Sequence, residues 1–406
     1  MKYILIIGDG MADYPIPELD NLTPLQVAKK PNMDKIATMG RTGILKTVPG
    51  ELEPGSDVAI LSILGYDPKK FLTGRGPFEV AARDIELKEN DIAFRCSLIT
   101  EYNGKILDYS AGQISTSEAS EIIKTIKDEL EEPDKIEFHS GLSYRHFLIL
   151  RDTPNSLLLK TTPPHNVIGE KISTIMPKAK SKKAKEIERK IRKKIKQSKK
   201  ILQKHPINIS RINEGKRPGN MIWPWSGGKK PSIESFQNKY GLKSAVISAV
   251  DLVKGIGYYS KMQIINVPGA TGLPNTNYEA KAQFALKALE ENDLVIVHVE
   301  APDEAGHARD FNLKIKTIED LDKRLLGLII DNIKDPYAIA ILPDHLTLSK
   351  SGIHTRDPVP FAIYSPLITP DKVNKFNEID AKNGGFGLIE NNSLISLLTG
   401  NANNNI

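Results

Sequence analysis

The chain has 406 residues but a single cysteine, Cys96, and no apolar run close to the ~18 residues that a membrane-spanning helix needs. One cysteine excludes an intrachain disulfide. The opening MKYILIIGDGMADYP contains an apolar stretch, but Asp9 interrupts it early. A buried first strand is therefore favoured over a signal peptide. Together these features predict a cytoplasmic protein that does not associate with a membrane.

Aromatic residues are also scarce, at 6%, and the net charge of +6 comes from one segment. Residues 177–204 contain fourteen Lys and Arg against two Glu, so the rest of the chain has a net charge of −6. Apolar residues recur in this segment at helical spacing: Ala184, Ile187, Ile191, Ile195 and Leu202. The pattern predicts an amphipathic helix whose lysines face water.

Clustered lysines can also bind a phosphate polymer or an anionic membrane. No aromatic residue interleaves the lysines of residues 177–204, and no base-reading motif is present. A solvated helix is therefore the favoured interpretation, and an RNA-binding protein that uses this helix is the less favoured alternative. The two differ in their expected response to salt, which abolishes RNA binding.

The order of strand-like and helical patterns indicates the fold class. Apolar strands alternate with helices from residue 3 to about 80, and again from about 243 onward. This alternation predicts an α/β fold with a mainly parallel sheet covered by helices on both faces. The middle of the chain instead has short strands around one helical stretch. We therefore expect a discontinuous domain of residues 1–85 and 236–406, split by an inserted α+β domain of residues 86–235.

Acidic residues and histidines follow several of the predicted strands: Asp9, Asp303, His307, Asp344, His345 and His354. Ligands in open α/β sheets bind at the carboxyl ends of strands, so we expect these side chains to converge. Carboxylates mixed with imidazoles predict a metal site, for more than one ion. Asp303 and His307 are four residues apart and can share one ion on a helical turn. The side chains of Asp344 and His345 diverge and would serve two ions.

Ser56 is the candidate nucleophile. It follows Gly55 and begins an apolar helical pattern that stops at Gly65. The N-terminus of a helix favours bound phosphate. Ser56 could also be only a helix N-cap. Because metal coordination would activate a serine hydroxyl, the predicted metal site favours the nucleophile.

Several motifs together resemble the archaeal-type cofactor-independent phosphoglycerate mutases of the alkaline phosphatase superfamily: IIGDGMAD, PGSDVA, GRGPFEVAARDIEL, GLSYRHFL, TPPHN, MIWPWSGG, APDEAGH and PDHLT. The resemblance covers nearly the whole chain. It implies an alkaline-phosphatase-like α/β domain split by an insertion. It also implies interconversion of 3-phosphoglycerate and 2-phosphoglycerate, in glycolysis and gluconeogenesis, through phosphoserine and without 2,3-bisphosphoglycerate.

The resemblance implies two divalent ions, of which Mn²⁺ is expected and Co²⁺, Zn²⁺ or Mg²⁺ are alternatives. Carried over by motif, one ion is held by Asp9, Ser56, Asp344 and His345. The other is held by Asp303, His307 and His354. Ser56 then takes the phosphoryl group and returns it to the 2-hydroxyl of glycerate.

A small phosphorylated acid needs cationic partners, and the resemblance suggests Arg145, His146, His165 and Lys254, with Arg75 and Arg95 as secondary candidates. The inserted domain is expected to close over the substrate. The sequence does not indicate an oligomeric state. Alternative enzymes with the same site are a phosphohydrolase or a phosphopentomutase of the superfamily. The chain departs from the usual pattern of the family at Ile60, Gln113 and Asn166, which stand where Asn, His and Asp are expected.

Overall fold

The computed structural model describes residues 1–153, 159–390 and 393–400. Its strands are β1 (Lys2–Gly8), β2 (Arg41–Leu45), β3 (Ile92–Tyr102), β4 (Lys105–Asp108), β5 (Ile136–His139), β6 (Arg145–Leu150), β7 (Leu159–Lys160), β8 (Lys178–Ala179), β9 (Met221–Lys229), β10 (Ser244–Ile247), β11 (Gln263–Ile265), β12 (Leu294–Val299), β13 (Tyr337–Leu342), β14 (Val359–Tyr364) and β15 (Gly387–Ile389).

Its α-helices are α1 (Pro24–Val27), α2 (Pro31–Met39), α3 (Ser56–Ile63), α4 (Pro68–Phe71), α5 (Gly76–Ala81), α6 (Thr116–Leu130), α7 (Ile172–Ile175), α8 (Lys185–Leu202), α9 (Pro206–Asn213), α10 (Phe236–Tyr240), α11 (Asp251–Tyr259), α12 (Tyr278–Glu291), α13 (Ala301–His307), α14 (Phe311–Asp320), α15 (Leu328–Asn332) and α16 (Leu394–Thr399). Short 3₁₀-helices span Pro17–Leu19, Pro164–Val167, Lys182–Ala184 and Asp380–Asn383, and a π-helix spans Leu321–Gly327. None of these described helices combines the length and apolarity that a bilayer crossing requires.

The chain divides into two compact units. The first contains residues 1–71 and 232–406, and the second contains residues 72–231. The sequence-based boundaries were 85/86 and 235/236. The first lies earlier in the structure because α5 packs closely on β3, where a Cβ at Gly76 would collide with the carbonyl oxygen of Ala93. The helix pattern of residues 76–81 continues the first block in sequence, so composition alone does not reveal this close approach.

The first unit is built on an eight-stranded sheet with the order β11–β10–β12–β1–β13–β14–β2–β15. Five of its seven strand pairings are parallel, and only β14 runs against its two neighbours. The predicted α/β fold class with a mainly parallel sheet is confirmed. Strands β1, β12 and β13 are continuous apolar runs because both of their faces are covered.

The second unit contains an antiparallel sheet, β4–β3–β6–β5, with β9 on the other edge of β3. Register places Arg95 of β3 opposite Phe147 of β6 and beside Trp225 of β9. Helices α6 and α8 pack on this sheet, with Ile122, Ile126 and Trp223 in the shared core. The antiparallel strands and their helices form the α+β arrangement that the middle of the chain predicts.

The lysine-rich segment forms helix α8 as the sequence predicts. All five apolar residues of the predicted stripe are buried in the core of the second unit: Ala184, Ile187, Ile191, Ile195 and Leu202. The remaining face is exposed and basic. Lys194 is the exception, because its side chain is buried and donates to the carbonyl oxygen of Leu130 at 2.7 Å.

Candidate active site

Three neighbouring parallel strands bring the acidic residues of the first unit together. Asp9 follows β1 directly, and Asp344 lies two residues after β13. Ile7 of β1 is in register with His298 of β12 and Leu342 of β13, so all three strands end at the same edge of the sheet. The backbone N–H of Gly10 donates to Asp344 Oδ1 at 3.0 Å, which joins the loops after β1 and β13.

Asp9, Asp344 and His345 form the first cluster, with one ligand atom of each lying within 4.8 Å of the others. All three side chains are buried. Burial and the negative charge of Asp344 raise the pKa of Asp9 well above its usual value. Asp9 Oδ1 and Asp344 Oδ2 are buried without a hydrogen-bond partner in the described part of the chain. Orphaned carboxylate oxygens facing an imidazole nitrogen fit a divalent cation.

Asp303, His345 and His354 form the second cluster. His354 Nε2 lies 3.3 Å from Asp303 Oδ1, and His307 Nε2 lies 3.2 Å from Asp303 Oδ2. The two histidine Nε2 atoms are 3.0 Å apart. The hydrogen bond with Asp303 raises the pKa of His307 to about 9. The i, i+4 spacing in α13 thus places Asp303 and His307 on one face, as the sequence predicts.

His345 belongs to both clusters. Its Nε2 lies 3.5 Å from Asp9 Oδ1 and 3.4 Å from Asp344 Oδ2, and its ring stacks on His354 with 3.9 Å between centroids. The adjacency of Asp344 and His345 predicted that they serve two ions, whereas the family resemblance assigned His345 to the Asp9 group alone. The observed clusters therefore share one imidazole instead of dividing into two separate sets.

Thr347 orients that imidazole and is a residue that the sequence analysis did not single out. Its hydroxyl donates to Asp303 Oδ1 and lies 3.2 Å from His345 Nδ1. Since the hydroxyl proton is committed to Asp303, Nδ1–H of His345 donates to Thr347 Oγ1. The lone pair of His345 Nε2 then points at the carboxylates, as a metal ligand requires.

Ser56 lies against the first cluster. Its Oγ is 3.3 Å from Asp9 Oδ2 and 3.3 Å from His345 Nε2. The N-cap of α3 is Gly55, which makes no side-chain cap hydrogen bond. Ser56 is therefore the first helical residue, with its hydroxyl directed at the acidic cluster. This geometry removes the alternative in which Ser56 serves only as a helix cap.

A family model for 2,3-bisphosphoglycerate-independent phosphoglycerate mutase matches residues 37–208. A protein of that name from Methanosarcina mazei is 48% identical over 404 residues, which cover 98% of this chain and 99% of the relative. This chain belongs to that family. The predicted family is thus confirmed, and the chain is an enzyme of the phosphoglycerate mutase class.

Two solved structures share the fold of this mutase family member. One is a protein from Pyrococcus horikoshii, with a TM-score of 0.85 and 31% identity, covering 98% of this chain and 96% of that one. The other is the cofactor-independent phosphoglycerate mutase from Thermoplasma acidophilum, with a TM-score of 0.69 and 28% identity, covering 99% of this chain and 100% of that one. Family membership and the clustered carboxylates and imidazoles together imply that the enzyme uses divalent metal.

A buried histidine behind the first cluster was also missed by the sequence analysis. His298 of β12 is fully buried, and its Nε2 lies 2.9 Å from Asp9 Oδ2. Its Nδ1 lies 3.1 Å from Ser248 Oγ. Burial lowers the pKa of His298 to about 4, so the ring is neutral at pH 7. A lone histidine inside the apolar run LVIVHV is the signal that could have revealed it.

The expected substrate-binding residues lie in both units. In the second unit, Arg145 begins β6 and its guanidinium lies over the Tyr144 ring at 4.8 Å. His165 lies in the 3₁₀-helix Pro164–Val167, with its ring 5.4 Å from that of Trp225. His146 is 1% exposed and accepts a hydrogen bond from the Gly141 N–H, so it does not present a surface to a ligand. Lys254, in α11 of the first unit, donates to Asn266 Oδ1 at 2.9 Å.

The secondary candidates Arg75 and Arg95 both contact Glu79 in the second unit. The Arg95 guanidinium stacks over Trp225 at 4.2 Å and lies 3.1 Å from Glu79. Arg75 contacts the same Glu79 at 3.4 Å. Burial, together with the nearby Arg75 and Arg145 charges, lowers the pKa of Arg95 to about 10. Two guanidinium groups contact one carboxylate, and the charge of Arg145 also acts on Arg95, so the region has excess positive charge, which suits an anionic ligand.

None of the three residues that depart from the family pattern belongs to either metal-ligand cluster. Ile60 is buried in the interior of α3. Gln113 is exposed and has a positive φ of 52° in the loop before α6. Asn166 is exposed in the 3₁₀-helix Pro164–Val167. Their effect is therefore expected on substrate positioning and not on metal binding.

Proposed function

We propose that the enzyme interconverts 3-phosphoglycerate and 2-phosphoglycerate through phosphoserine at Ser56, without 2,3-bisphosphoglycerate. The observation that carries this proposal is the position of Ser56 Oγ, which lies 3.3 Å from both Asp9 and His345 at the start of α3. The hydroxyl does not serve as the N-cap of α3, because that position is Gly55.

The proposal assigns two divalent ions, Mn²⁺ by expectation, to the two clusters. Asp9, Ser56, Asp344 and His345 would hold one ion. Asp303, His307 and His354 would hold the other, with His345 adjacent to both sets. Bound cations would lower the pKa of the serine hydroxyl and neutralise charge on the phosphoryl oxygens.

Ser56 performs both half-reactions. In the first, a bond forms between Ser56 Oγ and phosphorus while the bond from phosphorus to the substrate's 3-oxygen breaks. Ser56 loses its proton, and the departing oxygen of glycerate gains one. In the second half, the 2-hydroxyl oxygen of glycerate loses its proton and bonds to phosphorus, while the bond from phosphorus to Ser56 Oγ breaks and Ser56 Oγ regains a proton. Since α3 presents its N-terminus at Ser56, the helix dipole favours the phosphoryl group in both states.

The proposal gives substrate binding to the inserted unit, through Arg145, His165 and the secondary candidates Arg75 and Arg95. Guanidinium groups bind phosphate or carboxylate through two parallel hydrogen bonds. Lys254 remains a further candidate in the first unit. His146 would act by shaping the loop at Gly141, since its ring is buried. A closing motion of the inserted unit over glycerate is part of the proposal, and substrate-dependent compaction in small-angle scattering tests it.

An enolase-coupled assay tests the function directly. Purified enzyme is given 3-phosphoglycerate without 2,3-bisphosphoglycerate, either with EDTA or after addition of Mn²⁺. Formation of 2-phosphoglycerate only with metal is the expected result. Faster release of inorganic phosphate than formation of 2-phosphoglycerate would replace the mutase with a phosphohydrolase. Turnover of a pentose phosphate alone would indicate a phosphopentomutase.

A further inference from the structure

Helix α8 of the second unit carries a row of cations that the proposed mutase function does not use. This basic row comprises Arg189, Lys193, Lys196, Lys200 and Lys204, all of them exposed. Their spacing of four, three, four and four residues places them on one side of the helix and the turn that follows it. At 1.5 Å per residue, neighbours are separated by about 4.5–6 Å along the helix axis.

The basic row is held outward by the rest of the second unit. Ile187, Ile191 and Ile195 are buried on the opposite side of α8, in the core with Trp223. The helix cannot rotate its cations inward without exposing these side chains. The row is therefore a fixed feature of the surface and not one conformation of a mobile segment.

The carboxylates near α8 are already engaged by cations outside the basic row. Glu188 pairs with Lys185 and Arg192, and Glu186 pairs with Lys190. Elsewhere on the helix, Lys194 reaches Glu132 and Lys199 reaches Glu101.

Within the described residues, no carboxylate lies within ion-pair distance of the five cations of the basic row. Like charges three or four residues apart destabilise a helix, so this arrangement has an energetic cost in the free enzyme. A bound polyanion would remove that cost.

We propose that the basic row binds the phosphate backbone of a double-stranded nucleic acid, without reading its sequence. A strand of a duplex presents one phosphate about every 3.4 Å of axis, so a straight row of cations can neutralise several phosphates at once. Residues 177–213 contain no Phe, Trp or Tyr, so this surface offers no stacking platform for a single strand. The apolar side of α8 is buried, so the helix has nothing to insert into a membrane.

Fluorescence anisotropy with a labelled duplex of about 20 base pairs tests the proposal on the full-length enzyme. The test variant combines Arg189→Gln, Lys193→Gln, Lys196→Gln and Lys200→Gln, which removes four charges and retains good helix formers. Affinity is measured between about 50 and 200 mM salt, where phosphate contacts show a steep dependence. The variant is expected to reduce the slope of log K against log salt by about 3–4. Its affinity at low salt is expected to fall about tenfold or more.

A matched control distinguishes the effect of the basic row on duplex affinity from the effect of net charge. It combines Lys29→Gln, Lys35→Gln, Lys323→Gln and Lys334→Gln, four exposed lysines scattered over the first unit. The control also loses four charges and is expected to keep its duplex affinity within about twofold. Mutase activity and circular dichroism of both variants are expected to match those of the unchanged enzyme. An equal loss in control and variant, no duplex binding at low salt, or tighter binding to single strands or anionic vesicles would overturn the proposal.

Discussion

His298 Nε2 and Asp9 Oδ2 lie 2.9 Å apart. His298 is in β12, and Asp9 directly follows β1, the parallel strand that pairs with β12. The ring stays neutral because burial lowers the pKa of His298 to about 4. Nε2–H then donates to the carboxylate, while Nδ1 accepts from the Ser248 hydroxyl. Asp9 is thereby fixed with its other oxygen, Oδ1, directed at His345. His298 therefore positions a proposed metal ligand without contacting substrate.

Removing this hydrogen bond is expected to weaken metal binding. His298→Ala leaves Asp9 without its buried donor, and partners of this kind contribute about 10–100-fold to metal affinity. Isothermal titration of the metal-free enzyme with Mn²⁺ measures the change. Ser248→Ala, which removes only the second hydrogen bond of the ring, is the control and is expected to have a smaller effect. Unchanged Mn²⁺ affinity in folded His298→Ala would show that His298 serves packing alone.

Loss of a proposed ligand is expected to reduce metal content as well as rate. Asp303→Ala and His345→Ala each remove a residue from the observed clusters, and His345 is shared by both. We expect His345→Ala to lower the bound metal more than Asp303→Ala does, as measured by elemental analysis after gel filtration. Full occupancy in both variants would refute the ligand assignment.

Metal affinity is expected to rise with pH in the neutral range. The Asp303 contact raises the pKa of His307 to about 9 in the metal-free site, so His307 must lose a proton before its Nε2 can bind. Proton release on titration with Mn²⁺, together with activity that falls below neutral pH, is the expected result. A flat activity profile from about pH 5 to 8 would contradict it.

Lys314 is expected to be essential for stability of the first unit. Its ammonium group is fully buried, lies 3.0 Å from Asp13 Oδ2 and donates to the carbonyl oxygens of Ala12 and Thr347. Lys314→Met would leave the Asp13 carboxylate buried without its cation, at a cost of about 3–5 kcal/mol in unfolding free energy. Lys316→Met is the control, because its ion pair is exposed and contributes about 0–1 kcal/mol. Equal unfolding transitions in the two variants would contradict this role.

The second unit is expected to lose stability in acid. Arg151 binds both oxygens of Glu137, at 2.6 and 2.7 Å, and Asp91 Oδ2 at 2.6 Å. The Arg151 hydrogen bonds lower the pKa of Glu137 below its usual 4.5. Burial alone would raise the pKa of Asp91, but backbone and Arg151 hydrogen bonds lower it below its usual 3.8. Each of the two carboxylates therefore contributes its full stabilisation at pH values above its usual pKa. This stabilisation is lost as the pH falls through the lowered pKa.

Tryptophan fluorescence can follow this transition, since the only two tryptophans, Trp223 and Trp225, lie in β9 of the second unit. Arg151→Met is expected to cost about 2 kcal/mol at neutral pH and to flatten the acid dependence. The ion pair of Lys190 with Glu186, in which both side chains are exposed, provides the control, and Lys190→Met is expected to cost less than about 1 kcal/mol. If the stability of Arg151→Met falls in acid as much as that of the unchanged enzyme, the acid dependence is caused by other groups.

The residues that the sequence identified are those that follow apolar strands. Asp9, Asp303 and Asp344 could be placed at one sheet edge because parallel strands end together, and the structure brings them there. The contact of His298 with Asp9 could not be predicted, since the sequence of a strand does not show which strand lies next to it in the sheet. The shared position of His345 depends on strand order, which alternation of strands and helices does not determine.

In the second unit, too, the sequence predicts local features but not contacts between distant segments. The amphipathic pattern of α8 predicts its buried face directly, because one helix carries the whole signal. Arg95 and Arg145 lie on neighbouring strands only through the antiparallel register of β3 and β6, with Arg95 opposite Phe147 and Arg145 opposite Ser97, and residue type alone does not reveal this. The boundary at residue 72 depends on the contact between Gly76 and Ala93, which no local pattern reports.

The central claim is that Ser56 carries the phosphoryl group. Metal-loaded enzyme is mixed with 3-phosphoglycerate, quenched in acid, and its phosphorylated peptide is located by tandem mass spectrometry. Ser62→Ala is the control, because Ser62 lies in the same helix, is buried and has no hydrogen-bond partner in the described part of the chain. We expect phosphate on Ser56 in the unchanged enzyme and in Ser62→Ala, and neither phosphate nor turnover in folded Ser56→Ala. Phosphate on another residue, or turnover in Ser56→Ala near that of the unchanged enzyme, would contradict the account.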